Sequence, residues 1–166
     1  MIDTDPSTAV YSGLKRAGID FVASVPCVNL KDLLPMIADD PEIVYVPVTR
    51  EEEGVGVCAG AWLGGMRPAL LMQNSGLGNS INALASLDLL YGIPLLMVIS
   101  HRGGLGEKII GQVPMGRLTE PVLELMGIPY FAPQPDVAEA TIAQAWETSE
   151  IEGMPAAILL EIGFWG

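Results

Sequence analysis

Three consecutive carboxylates, Glu51, Glu52 and Glu53, stand where strand-like sequence gives way to helix-like sequence, and glycines follow at 54, 56 and 60. Acidic residues in a first helical turn gain about 0.3–1 kcal/mol each from the helix dipole, which is reason enough for two of the three. The glycines need another reason, because each one inside a helix costs about 0.5–1 kcal/mol relative to alanine. A helix that tolerates three of them is expected to be approached closely by a backbone or a flat ligand. A carboxylate at its start, facing a dry crevice, can share a proton with a nitrogen heterocycle.

A second stretch, Gln73-Asn74-Ser75-Gly76-Leu77-Gly78-Asn79, follows an apolar strand and precedes a helical pattern. It reads as a tight strand-to-helix turn, either a phosphate cradle at a helix amino terminus or a plain turn with Asn79 as cap. It matches neither G-x-x-x-x-G-K-[ST] nor G-x-G-x-x-G. His101 has no nucleophile elbow of the G-x-S-x-G type to serve, so a non-catalytic role is expected. Arg50, Lys31, Arg102 and Lys108 are half of the 8 cations in the chain, and each lies in or near a loop that follows a strand. Cys27 and Cys58 sit in unlike settings without C-x-x-C, and with a single histidine they suggest free thiols rather than a zinc site or a disulfide. No metal-ligating residue is expected.

The elements that must position these groups alternate. Asp5-Pro6 caps a helix that stops at Gly18, Phe21 to Val25 is a strand, and Leu30, Leu33, Leu34 and Ile37 mark a helix despite Pro35. Strands at 42–48, 69–72, 94–100, 130–131 and 156–162 are separated by the glutamate helix up to Gly64-Gly65 and by helices through 81–89, 116–126 and 135–149. A glycine-rich loop covers about 101–114. Continuous apolar strands alternating with helices predict one doubly wound, mostly parallel α/β sheet flanked by helices and formed as a single domain over 1–166. The loops at Val25-Pro26-Cys27, Thr49-Arg50-Glu51, Gln73 to Asn79 and Ser100 to Gly104 should then share the carboxyl rim of the sheet, where ligands bind in such folds.

Composition narrows the partners. With 8 Lys+Arg against 20 Asp+Glu the net charge is −12, which argues against nucleic acid or an anionic membrane face as partner. Half of the residues are hydrophobic, yet no apolar run approaches the roughly 18–20 residues of a membrane span. The excess is expected in two-sided sheet burial and a subunit interface. Met1-Ile2-Asp3-Thr4-Asp5 lacks a basic stretch of the secretory kind, so the cytoplasm is the expected location.

On these residues the sequence resembles the pyrimidine-binding (PYR) domains of thiamin-diphosphate-dependent 2-oxoacid decarboxylases, and among them the alpha subunits of sulfopyruvate decarboxylase, with phosphonopyruvate decarboxylase close by. The resemblance rests on Val25-Pro26-Cys27 with Leu30-Lys31, on Glu51 nine residues before Gly60, on Gln73 to Asn79, on Tyr91-Gly92-Ile93-Pro94 and on Arg102-Gly103. It implies that Glu51 is the catalytic carboxylate, hydrogen-bonding N1′ of the aminopyrimidine and promoting loss of the thiazolium C2 proton. The thiazolium then accepts the electrons released with carbon dioxide. It further implies cofactor contacts from Glu51, Gly76, Leu77, Gly78 and Asn79, and contacts to a small anionic 2-oxoacid from Asn29, Lys31, Asn74, Ser75, Arg102 or Gln112.

The chain also departs from its relatives. Val28 stands where those acting on phosphonopyruvate carry serine, and Gln112 where they carry histidine, which leaves a second proton donor unassigned. The G-D-G with a downstream Asn that holds magnesium and the diphosphate is absent from these 166 residues. The resemblance therefore implies a separate beta (PP-domain) subunit that carries this motif and holds Mg2+, in a higher hetero-oligomer. The implied reaction is decarboxylation of 3-sulfopyruvate to sulfoacetaldehyde in coenzyme M synthesis. Phosphonopyruvate decarboxylation, or a doubly wound partner domain without chemistry, are the alternatives.

Overall fold

The strand core is built from segments apolar on both faces, as a parallel sheet requires. A computed structural model describes residues 5–166. Met1–Thr4, four of the five residues of the acidic start, lie outside the described residues. Helix α1 (Pro6–Arg16) begins at Asp5, whose carboxylate accepts a hydrogen bond from the Thr8 amide at 2.8 Å. There follow β1 (Phe21–Ser24), α2 (Leu33–Ala38), β2 (Val44–Pro47), α3 (Glu51–Leu63) and β3 (Pro68–Gln73). Helix α4 (Asn74–Ala83) continues through a wider π turn, Leu84–Asp88, into α5 (Leu89–Tyr91). The chain ends with β4 (Leu95–His101), α6 (Val113–Met126), β5 (Tyr130–Phe131), α7 (Ala138–Glu152) and β6 (Pro155–Glu161).

Among the described residues the strands form one six-stranded sheet in the order β2-β1-β3-β4-β6-β5, every pairing parallel. Side chains alternate between its two faces. Ala69, Leu71, Leu96, Val98, Ile158 and Leu160 pack against α1, α2 and α7, and Leu70, Met72, Met97, Ile99, Ala157 and Leu159 against α3, α4 and α6. The doubly wound expectation holds. Among the described residues no helix is long and apolar enough to cross a membrane.

Three local expectations change. Strand β3 runs to Gln73 and α4 starts at Asn74, so the expected turn at 73–79 is the strand end plus the first turns of a helix. Asn79 is inside that helix and does not cap it. Helix α6 begins at Val113, after a 3₁₀ turn at Ile110–Gln112 that tightens the expected loop. Helix α7 begins at Ala138 rather than at Pro135.

The glycines of α3 also divide. A Cβ at Gly54 would come 2.5 Å from Leu70 Cδ1, so Gly54 lets α3 lie close on the sheet. Cβ atoms at Gly56 and Gly60 would meet nothing within 4 Å. Those two keep a flat outer face open beside the exposed Val57 and Leu63.

Candidate active site

Strand order places the topological switch between β1 and β3, because the chain moves outward from β1 to β2 and then returns to β1's other side. The rim of the sheet carries the groups singled out above. Cys27, after β1, directs its thiol to Gln73 Oε1 across the switch at 3.8 Å. The Gln73 amide donates to Ser75 Oγ and to Gln112 Oε1, both at 3.0 Å. Gln73 was not among the candidates read from the sequence. Its position as the last residue of β3 was the available signal.

The three glutamates have three separate surroundings. Glu53 Oε2 accepts from the Thr49 hydroxyl at 2.7 Å and amide at 3.3 Å, closing the first turn of α3 in the manner of a capping box. Glu52 pairs with Arg50, and its own backbone amide, followed by that guanidinium, holds its carboxyl below the usual range. Glu51 alone turns inward and is 8% exposed. Its Oε2 accepts from Asn79 Nδ2 at 3.0 Å, while Oε1 accepts no hydrogen bond from the described residues. Gly76 makes room for it, since a Cβ there would lie 2.3 Å from Glu51 Cγ and 2.7 Å from Oε1. The glycine in α4 thus serves the carboxylate in α3. One oxygen is held and the other left open, the arrangement of a carboxylate set to engage a ring nitrogen or a proton.

The other candidates sort by environment. Leu77 is fully buried in the core against α3 and supports α4 from below. Gly78 admits Met115 of α6, whose sulfur would be 3.5 Å from a Cβ at that position. Asn74 is also fully buried: its amide donates to Arg102 O and Thr119 Oγ1, both at 2.9 Å, and its Oδ1 accepts from the Arg102 amide at 3.1 Å. Its side chain ties α4 to the end of β4 and to α6. Arg102 is held by Glu107 through two hydrogen bonds of 2.8 and 2.9 Å. That guanidinium, with the Ile109 amide, holds the Glu107 carboxyl down at about 2. The loop closes tightly because Gly103, at φ 88°, lies where a Cβ would be 2.2 Å from Gln112 O.

Asn29, Arg102, Lys108 and Trp165 line a cleft of about 330 Å³. Lys31 lies in an adjoining cleft of about 270 Å³ that shares Val28, Asn29 and Trp165. Among the described residues Lys31 and Lys108 form no ion pair, so they are the cations of this side left for an anion. Cys58, on the buried face of α3, donates weakly to Ala69 O at 3.6 Å, and burial pushes its thiol up to about 12. It is an inert core thiol.

A six-stranded parallel sheet flanked by helices, with a recessed glutamate at its rim, defines a doubly wound α/β domain. Residues 5–108 match the family of the thiamine pyrophosphate enzyme, N-terminal TPP binding domain. The sulfopyruvate decarboxylase subunit alpha of Methanococcus maripaludis is 56% identical over 160 residues, 96% of each chain. That of Methanothermobacter thermautotrophicus is 52% identical over 162 residues, 97% of this chain and 98% of the relative. A phosphonopyruvate decarboxylase of Streptomyces viridochromogenes is more distant, at 44% over 117 residues, or 70% of this chain and 30% of that one. Among solved structures, the 2-oxoglutarate:ferredoxin oxidoreductase of Magnetococcus marinus superposes with a TM-score of 0.77 at 15% identity, over 95% of this chain and 28% of that one. That likeness is one of fold. The chain belongs to the sulfopyruvate decarboxylase alpha-subunit family of thiamine pyrophosphate enzymes.

Proposed function

We propose that this chain is the alpha subunit of a thiamin-diphosphate-dependent decarboxylase acting on 3-sulfopyruvate and releasing sulfoacetaldehyde and carbon dioxide. The observation that carries this reading is the recessed Glu51, held by Asn79 at 3.0 Å and seated against Gly76, in a chain that matches relatives of that name over nearly its whole length. The residues fit the pyrimidine end of the cofactor: a carboxylate with one open oxygen, seated in the recess that Gly76 leaves for it. When bound, the cofactor supplies the electron sink for loss of the carboxyl group. Glu51 would exchange a proton with the pyrimidine ring through its open oxygen, and Asn79 and Gly76 fix where that oxygen stands.

Lys31, Lys108 and Asn29 suit the charged tail of a small anion, since two unpaired cations on one side of the rim stand out in a chain of net charge −12. Gln112 and Ser75, joined through Gln73, are polar groups at the switch-point rim that can orient the oxoacid. Arg102 and Asn74 act by shaping the loop, because their hydrogen-bonding groups are already engaged within the chain.

Magnesium and the diphosphate are assigned to a beta subunit with a G-D-G and downstream Asn, a pattern this sequence lacks. The open face of α3 at Gly56 and Gly60 suits a close neighbour. The reaction is placed in coenzyme M synthesis in the cytoplasm.

The test is co-expression with the beta subunit, followed by cofactor-dependent release of carbon dioxide from 3-sulfopyruvate and from phosphonopyruvate. Glu51→Gln is expected to lower turnover by about 10²-fold or more with folding unchanged, while Glu52→Gln and Glu53→Gln retain it. Full activity of Glu51→Gln would overturn the assignment, and preference for phosphonopyruvate would overturn the substrate.

A further inference from the structure

The sheet's alternation brings together three groups that the decarboxylase reading does not use. Met97 and Ile99 of β4, and Ala157 and Leu159 of β6, face the α6 side of the sheet. The same period carries His101 and Glu161, register partners at the ends of these strands, onto that face. Helix α6 crosses there and adds Glu120. One nitrogen of His101 and one oxygen from each glutamate lie within 4.8 Å of one another. They border a cleft of about 370 Å³ with Gly103, Gly116 and Arg117.

The state of His101 points to a ligand. The ring is 6% exposed, and its Nε2 lies 3.1 Å from Gly116 O. A carbonyl only accepts, so Nε2 carries the hydrogen and, in the neutral ring, Nδ1 carries the lone pair. Nδ1 is buried and has no hydrogen-bond partner among the described residues. Leaving such an atom unpaired costs about 1–3 kcal/mol. Neither glutamate relieves it, as His101 forms no ion pair among the described residues. An imidazole that donates one N–H to a backbone carbonyl and presents its other nitrogen beside two carboxylates has the arrangement of a metal-ligating histidine. Glu120 is itself supported from outside, with the Tyr130 hydroxyl 3.5 Å from Oε2.

We propose that His101, Glu120 and Glu161 form a site for one divalent cation of the zinc class, bound through His101 Nδ1 and one oxygen of each carboxylate. Ligand atoms this close are bridged by an ion about 2.0–2.2 Å from each after small side-chain rotations. Two carboxylates neutralise the charge of the ion. An imidazole ligand favours zinc-class cations over magnesium, which prefers oxygen. The ion would pin the ends of β4 and β6 to α6, directly under the Arg102 to Gln112 loop, and so act on the rim without touching the decarboxylation chemistry. Arg117, one turn before Glu120 and also without an ion pair among the described residues, is its competitor for the carboxylates.

The test uses the full chain stripped with a chelator and titrated with Zn2+ by calorimetry, with Co2+ as the optical probe. One equivalent is expected to bind, Mg2+ should fail to displace it, and the melting temperature should rise on binding. Glu161→Gln, at an exposed position, and His101→Ala should each weaken binding by about tenfold or more. A Cys27→Ser/Cys58→Ser chain should bind like the parent. Absence of Zn2+ binding would mean that Arg117 or solvent neutralises the cluster, and overturns the proposal. So does binding that survives both ligand substitutions or disappears with the thiols.

Discussion

The α-carbon of Gly76 faces the Glu51 side chain so closely that a methyl group on it would lie 2.3 Å from Glu51 Cγ. Two helices that follow different strands thus meet at the carboxylate, and the missing side chain of one sets the position of the other. Gly76→Ala is expected to push Glu51 out of its recess and break the 3.0 Å bond from Asn79. Turnover of the reconstituted complex should fall about 10²-fold, approaching the loss for Glu51→Gln, with the circular dichroism spectrum retained. Normal turnover in Gly76→Ala would show that the recess is not needed.

Asn74 should matter to stability rather than to substrate affinity. Its fully buried side chain satisfies the amide and carbonyl of Arg102 and the hydroxyl of Thr119. Asn74→Ala strands these groups, at a cost on the order of 2–3 kcal/mol in urea unfolding. Amide exchange in the 102–112 loop should accelerate. An unchanged unfolding midpoint with a raised KM would instead make Asn74 a substrate contact.

Asp88 predicts a pH dependence. It is fully buried in the π turn between α4 and α5, neither carboxylate oxygen has a hydrogen-bond partner among the described residues, and burial raises its pKa from an ordinary 3.8 to about 7. The folded chain therefore holds a proton that the unfolded chain releases near pH 4. Between about pH 4 and 7 this group lowers stability as pH rises, with a slope of up to about 1.4 kcal/mol per unit, and the full penalty persists above pH 7. Asp88→Asn should be more stable than the parent at pH 8, with the difference vanishing below pH 4. Denaturant melts at pH 4, 6 and 8 check this, and parallel pH curves for the two proteins would contradict it.

Much of this was legible because it is local. The strand runs, the helix spacing and the cap at Asp5 reflect backbone geometry and burial, which act over a few residues. The family resemblance singles out Glu51 among the three glutamates, and Glu51 is the one that the fold buries. The 73–79 stretch misled, because two glycines in seven residues read as a turn. In the fold Gly76 is helical, and its lack of a side chain serves Glu51 rather than the backbone.

The sequence by itself determined the parallel α/β architecture, the rim on which the loops gather and the family of the chain, since periodicity and short motifs carry that information. Only the tertiary structure decided which groups are used up and which are open. Arg102 is a loop cation in the sequence, and in the fold its charge is taken by Glu107. Gln73 gains its place by reaching Cys27, Ser75 and Gln112 at once. His101, Glu120 and Glu161 meet because parallel pairing sets β4 beside β6 and α6 folds across both. Contacts between residues far apart in the chain depend on strand order and register, and no local pattern encodes them.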